Sequence, residues 1–145
     1  MGFESDFVVG FASLLATAGL GVWKLTGSYA ATDVAIAVDA VPLSPNDAIT
    51  LTDYVVSDDP TLSDSVLGLQ VRTRKAGADP RPVKDLDGAV FAFLHGMPAT
   101  TLPGGVHVVS CFRRSGTSLG QDANGRWSRS SNYYATVHRP STNRT

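Results

Sequence analysis

The stretch "LGLQVRTR", residues 67–74, alternates apolar and polar side chains from end to end. In an extended chain successive side chains point to opposite faces, so the apolar residues share one face and the polar residues the other. One face is therefore expected to lie in a core and the other to meet solvent or a partner, which is typical of an antiparallel sheet. The apolar face holds Leu67, Leu69 and Val71, and the polar face holds Gln70, Arg72 and Arg74.

Four further stretches have β-rich patterns that predict strands. Two of them precede residues 67–74 and are separated by the turn-forming "PLSPND", and the other two follow later in the chain. The acidic, proline-containing "SDDPTLSDS", residues 57–65, predicts a surface loop. The predicted strands are "AIAVDAV" at 35–41, "AITLTDYVV" at 48–56, "VHVVSCFR" at 106–113 and "WSRSSNYYATVH" at 127–138.

Two segments predict helices. The segment 79–96 has signals at both ends, because Asp79 can cap it, Pro80 suits its first turn and Gly96 can end it. The charge-free "FVVGFASLLATAGLGVW", residues 7–23, has apolar residues at helical spacing. Acidic residues precede it, unlike a signal peptide, and its glycines dilute a run that is already too short for a membrane span. We therefore expect a buried helix and no membrane partner.

The order of the predicted elements lacks the regular strand and helix alternation of a doubly wound sheet. We predict an α+β fold with a mixed, largely antiparallel sheet of four to five strands, two helices packed against it and a long C-terminal β-hairpin. Residues 1–140 are expected to form a single domain, and residues 141–145 a flexible tail.

Chemical motifs are missing from the sequence. Cys111 lies in an apolar strand pattern, where a packing cysteine is expected rather than a nucleophile. The histidines at 95, 107 and 138 lack the close spacing of a zinc site. We therefore predict no catalytic residue, metal or cofactor, and a protein that is not an enzyme.

Charge is divided unevenly along the chain. Residues 1–66 hold nine acids and one base, and residues 67–145 hold four acids and eleven bases, so the two parts carry −8 and +7. The parts could neutralise each other within one globule, or an acidic edge of one subunit could meet a basic edge of the next. A third alternative is that clustered arginines bind nucleic acid, although no binding motif supports it.

The polar stretch 115–126, which contains "LGQDANGR", is predicted to be a long hairpin loop between the last two strands. Its glycines permit tight turns, and it holds almost no large apolar side chain, so we expect it to contact another protein rather than to stabilise its own fold. The residues predicted to lie at a subunit or partner interface are Asp58, Asp59, Arg72, Arg74, Arg114, Gly120, Asp122, Asn124, Arg126 and Arg129.

Two long segments of the chain carry a family resemblance. "AITLTDYVVSDDPTLSDSVLGLQVRTRKAGADPRPVKDLDGAVFAFLHG", residues 48–96, and "RRSGTSLGQDANGRWSRSSNYYATVHRP", residues 113–140, resemble the tail terminator (minor capsid) family of long-tailed phages. The most specific pieces are "LGLQVRTR" and "LGQDANGRWSRSSNYY". These motifs indicate a family and not an active site.

The resemblance implies a virion protein that forms a ring, commonly a hexamer, on the head-proximal end of the tail tube. Such a ring ends tube polymerisation and offers a surface to the head connector, and DNA passes through it without sequence-specific binding. Its implied partners are further copies of itself, the tube protein and the connector or neck protein, and it would assemble in the host cytoplasm. The alternatives are a neck or head-completion protein and a DNA-binding module.

Overall fold

A computed structural model describes residues 2–145 as two helices and seven strands. Both helices and all long strands begin close to where the sequence predicts regular structure, and β6 extends eight residues beyond its predicted end. In chain order the elements are α1 Phe3–Thr17, β1 Val22–Trp23, β2 Ala35–Val38, β3 Ala48–Asp58, β4 Asp64–Ala76, α2 Arg81–Leu94, β5 Thr100–Thr101, β6 His107–Gln121 and β7 Arg126–His138.

All seven strands belong to one mixed sheet with the order β1-β2-β3-β4-β7-β6-β5. The strands β1, β2 and β3 pair in parallel, and every other pairing is antiparallel. The prediction of a four- to five-stranded sheet is therefore wrong: the chain is mostly sheet, curled into a half-barrel. The two strands that the sequence does not reveal, β1 and β5, contain two residues each, which is too short for any periodic pattern.

The strand β4 lies in the middle of this sheet and has the alternation that its sequence predicts. Leu67, Leu69 and Val71 are fully buried, and they belong to the same apolar cluster as residues from both helices. Both helices therefore cover the same face of the sheet. On the opposite face the ring of Tyr54 lies against Gly68, where an added Cβ would come within 2.1 Å of the ring. Only glycine leaves room for this contact.

The helices differ in how much of their surface they bury. The helix α1 buries Phe7 and Phe11 in edge-to-face contact, and its Gly10 lies so close to Leu102 that an added Cβ would be 2.8 Å away. The helix α2 is amphipathic and buries one stripe of residues. Within residues 2–145, neither helix is long and apolar enough to cross a membrane.

The hairpin of β6 and β7 departs from the predicted long loop. Residues 115–121 continue β6 and pair with β7 as far as Gln121 opposite Trp127, so the connecting turn is only 122–125. Three register shifts interrupt this ladder. They break the period-2 pattern of the sequence, and for that reason the segment reads as a loop.

The last residues of the chain fold back onto the β3–β4 turn. Arg144 donates hydrogen bonds to the hydroxyl of Ser65 at 2.8 Å and to the carbonyl of Arg139 at 2.7 Å. The division between a domain at 1–140 and a flexible tail at 141–145 stays a prediction.

Candidate functional site

A buried carboxylate ties α2 to the C-terminal hairpin. Asp87 of α2 is 3% exposed and accepts a hydrogen bond from the hydroxyl of Ser131 at 2.8 Å. The Nε atom of Arg129 lies 3.3 Å from its Oδ2 atom, and the Nη1 atom of Arg113 lies 3.7 Å from the same oxygen. Arg113 also stacks over the ring of Phe91 at 4.1 Å. One acid therefore balances two arginines at the root of the hairpin.

A polar pocket of about 330 Å³ opens beside this cluster. Arg113, Arg114 and Arg129 line it together with Ser115 and Gly116. Arg114 is exposed, and no acid of residues 2–145 lies within 4.0 Å of its guanidinium group. Three arginines against one carboxylate leave the pocket positively charged, so it can accept a carboxylate or another anion. Two of the residues predicted at an interface, Arg114 and Arg129, thus share one surface.

Arg74 holds a loop of its own chain. It is 3% exposed, and its guanidinium group donates hydrogen bonds to the carbonyls of Asn46, Pro42 and Pro45 at 2.7–2.9 Å. These carbonyls belong to the crossover 39–47 that joins β2 to β3. Burial lowers the pKa of Arg74 from its ordinary value, and the positive charge of nearby Arg126 lowers it further.

The hairpin turn is held in the same way. The Oδ1 atom of Asp122 accepts hydrogen bonds from the backbone N–H groups of Asn124 and Arg126, both at 2.9 Å, and its Oδ2 accepts one from Nε of Arg126 at 2.9 Å. These bonds, led by the Arg126 backbone N–H, lower the pKa of Asp122. Arg126 also donates to the carbonyl of Leu43 at 2.7 Å. Gly120 has a φ of 79°, which favours glycine beside a bulge.

The remaining predicted residues lie at two ends of the sheet. Arg72 shares the outer face of β4 with Arg74, and its Nε atom is buried without a hydrogen-bond partner among the described residues. Asp58 ends β3 opposite Ser65, at the other end of β4, and Asp59 follows it in the β3–β4 turn. Asp58 accepts a hydrogen bond from Ser65, and Asp59 accepts two from Thr61, whose hydroxyl is the main cause of the lowered pKa of Asp59. The predicted residues therefore do not form one site.

Sequence reasoning missed Asp87 and Arg113. A signal for Asp87 was present, since it falls on the apolar stripe of α2 between Val83 and Val90. An acid at a buried helix position needs a partner in the fold. Arg113 carried no comparable signal, because its contacts depend on the packing of α2 beside β6.

The structure gives no support to a nucleophile or a metal ligand set. Burial raises the pKa of the Cys111 thiol to about 12, so it is protonated at neutral pH. Among residues 2–145, no group of three histidine, cysteine or acidic side chains could hold a metal ion.

The uneven charge of the sequence has a spatial counterpart. Every strand that precedes β4 lies on one side of it, and every strand that follows lies on the other. The helix α1 packs on β1, β2 and β3, whereas α2 packs on β4, β7 and β6. The strands and the helix of the acidic part thus lie on one side of β4, and most elements of the basic part lie on the other, whereas Arg139 and Arg144 of the C-terminal residues reach back to Glu4 and Asp58.

Ion pairs join the halves only in part. Lys75 meets Asp47 at 3.2 Å, Arg139 meets Glu4 at 2.6 Å, and Arg144 meets Asp58 at 3.8 Å. Within the described residues, Asp39, Asp53 and others of the acidic half have no base within 4.0 Å. Unpaired charge of opposite sign therefore remains on two sides of the fold.

Comparisons with known proteins agree with this architecture. Residues 14–139 match the family described as bacteriophage tail terminator protein. A chain of a solved structure titled "Virion of native gene transfer agent (GTA) particle" is similar with a TM-score of 0.57 and 20% sequence identity, over 70% of this chain and 77% of that chain. This likeness concerns the fold alone. No curated protein matches the sequence.

The family match spans most of the chain, including both segments on which the resemblance rests. It also points to a structural rather than an enzymatic role. The chain belongs to the bacteriophage tail terminator family and is a structural protein of the virion.

Proposed function

We propose that this protein forms a hexameric ring on the head-proximal end of the phage tail tube. There it ends tube polymerisation and offers its other rim to the head connector or neck protein. DNA passes through the ring without sequence-specific binding. Assembly takes place in the host cytoplasm, and residues 1–140 act as one domain within each subunit.

One observation supports the ring: the strands of the acidic part of the chain and those of the basic part that follow β4 lie on opposite sides of β4. A ring is built from heterologous contacts, in which one surface of a subunit meets a different surface of the next. Two surfaces of opposite charge attract each other head to tail and repel their own kind. The same division disfavours a symmetric dimer, because that would place like charges together.

The predicted interface residues take different parts in this proposal. Arg114 is exposed, and with the partly buried Arg113 and Arg129 it contacts a neighbouring subunit from the basic side. Asp58 and Asp59 contact it from the acidic half. The crossover is held by Arg74 and Arg126, and the hairpin turn is held by Asp122. These contacts present Asn124, Gly120 and Arg72 to a partner.

Assembly with tail tubes tests the function directly. A phage that lacks this protein is complemented with the wild-type chain or with none, and particles are counted by electron microscopy. We expect overlong tubes without the protein and tubes of normal length with it. Tubes of normal length in its absence, with heads and tails left unjoined, would instead indicate a neck or head-completion protein.

Particle mass tests the ring. Native mass spectrometry of the purified protein, alone and with tubes, is expected to give a closed oligomer at low salt. That oligomer should weaken at high salt, because exposed charge pairs are screened over about 10 Å at 0.1 M. A monomer that binds DNA in a salt-sensitive way would favour the DNA-binding alternative.

A further inference from the structure

On one side of the sheet, part of the outer edge of β6 has no neighbouring strand. The strand β6 pairs with β7 along one edge, and on its other edge only its first part is covered. Gly96 donates to the carbonyl of Cys111 at 2.8 Å, and the N–H of Arg113 donates to Nδ1 of His95 at 3.0 Å. From Arg114 to Gln121 no further backbone group pairs with this edge. Nearly all of these residues are exposed.

The opposite side of the sheet has a matching gap. The strand β2 pairs with β3 only as far as Leu51, where the N–H of Asp39 donates the last hydrogen bond at 2.8 Å. The rest of β3, residues 52–58, pairs with β4 alone. Val55 in this segment is 59% exposed. The two free edges have nearly equal length and lie on opposite sides of one subunit.

The two edges are complementary in charge and in apolar contacts. Arg114 belongs to the β6 edge and borders the basic pocket, whereas Asp53 and Asp58 belong to the β3 edge. Leu119 on one edge is 47% exposed, and Val55 on the other is exposed as well. Opposite charges on neighbouring strands stabilise their pairing, and like charges destabilise it.

The topology also fixes the direction of a joint between copies. Each step from β3 to β4, to β7 and to β6 is antiparallel, so β6 runs opposite to β3. A rotation about a ring axis to which the strands are moderately inclined keeps strands of neighbouring copies close to parallel or antiparallel. The β6 of one copy would therefore meet the β3 of the next in antiparallel pairing, which continues the pattern of the sheet.

We propose that the free edge of β6, residues 114–121, pairs in antiparallel fashion with the free edge of β3, residues 52–58, of a second copy of this chain. The proposal rests on the ring proposed above and specifies its subunit contact. With Val55 opposite Ser118, both on the helix-covered face, Arg114 comes opposite Asp59, the residue that follows this edge, and next to Asp58. Exposed edges of this kind otherwise invite uncontrolled association.

This joint requires neighbouring copies to be offset. Val55 shares a row with Leu67 and Ala135, whereas Ser118 shares a row with Arg129. Ala135 and Arg129 lie six residues apart on β7, or about 20 Å along a strand. Strands inclined to the ring axis provide such an offset, as they do in closed barrels.

Cysteine cross-linking tests the pairing. Val55→Cys and Ser118→Cys are made singly and together, and the proteins are treated with a flexible bismaleimide, alone and with tail tubes. The native Cys111 is 2% exposed, and its thiol is protonated at neutral pH, so it should not react. We expect dimers when the two single variants are mixed, a ladder ending in a closed ring for the double variant, and no dimer from either single variant alone.

A charge reversal provides a matched comparison. Arg114→Glu lies on the proposed joint, and Lys84→Glu makes the same charge change on the exposed surface of α2. We expect Arg114→Glu to weaken ring formation at least tenfold, Lys84→Glu to leave it nearly unchanged, and Asp59→Arg to restore part of the loss when combined with Arg114→Glu.

The outcomes separate this joint from the ring itself. Rings that form without any cross-link between positions 55 and 118, or single variants that cross-link to themselves, would overturn the edge pairing and leave the ring standing. Monomers under every condition, with or without tubes, would overturn both proposals.

Discussion

The centre of β4 and the outer part of β6 are both β-strand, yet they are stabilised in different ways. Leu69 in β4 is fully buried between neighbouring strands and the helices, whereas Leu119 in β6 is 47% exposed. The centre of β4 pairs on both edges, and residues 114–121 pair on one. The comparison teaches that the ladder alone can extend a strand, while apolar burial determines which strand stabilises the domain.

The same leucine-to-alanine change gives the sharpest test of this contrast. Leu69→Ala should lower the free energy of unfolding by about 2–5 kcal/mol, since it leaves a cavity in the core. Leu119→Ala should change it by less than about 0.5 kcal/mol. Urea unfolding followed by circular dichroism measures both. Equal losses would show that residues 114–121 belong to the cooperative core.

The buried acid Asp87 connects α2 to the root of the hairpin, so its neutralisation tests whether the outer part of β6 is independent of the rest. Asp87→Asn should destabilise the fold by about 2–3 kcal/mol, because two arginines and a buried hydroxyl lose a charged acceptor. Hydrogen exchange should increase most in β6 and β7. The neighbouring Asp85→Asn, on an exposed position, is the control. Uniform exchange across the sheet would contradict a local role.

Substitution of Gly68 tests its contact with the ring of Tyr54, and substitution of Gly88 is the control. Gly68→Ala should cost about 1–3 kcal/mol, because the new Cβ overlaps the tyrosine ring and forces it to move. Gly88→Ala in α2 meets no neighbouring atom and should stabilise the helix by about 0.5–1 kcal/mol. Thermal unfolding of both variants measures the difference. If Gly68→Ala is neutral, Tyr54 moves freely and the outer face of β4 is softer than its core face.

The smallest effect concerns the ion pair between Glu4 and Arg139. The side-chain hydrogen bond from Arg139 lowers the pKa of Glu4 below its ordinary value. A depressed carboxyl pKa gives stability that is present above the unfolded pKa and is lost as pH falls through the folded pKa. Because this pair remains partly open to solvent, Glu4→Gln should remove only a few tenths of a kcal/mol near neutral pH. The free energy of unfolding, measured between neutral and acidic pH, should then change less for the variant than for the wild-type protein.

The sequence predicts the long elements because each has a strong local pattern. The alternation in residues 67–74, the caps around α2 and the apolar run of α1 all depend on neighbouring residues. By contrast, β1 and β5 form only because longer strands already stand beside them. The sequence does not reveal the outer part of β6 either, because register shifts interrupt the alternation of its side chains.

The charge of the candidate surfaces could be predicted from the sequence, but the contacts of their residues could be predicted less well. The two charge halves could be counted along the chain, and the fold keeps them apart. The contacts of Arg74 and Arg126 could not be predicted, because they depend on a crossover more than 25 residues away in sequence. Long-range backbone acceptors leave no trace in a local pattern.

The arginine that closes the hairpin turn has a mechanical consequence. Arg126 binds Asp122 within the turn and the carbonyl of Leu43 in the crossover, and Arg74, near the end of β4, anchors that crossover to the central strand of the sheet. Tension applied to the turn by a bound partner is therefore shared with the middle of the sheet and does not fall on the β6–β7 ladder alone. Leu43 is 87% exposed. Because Arg126 holds its backbone carbonyl, this apolar side chain is presented to solvent from a fixed position.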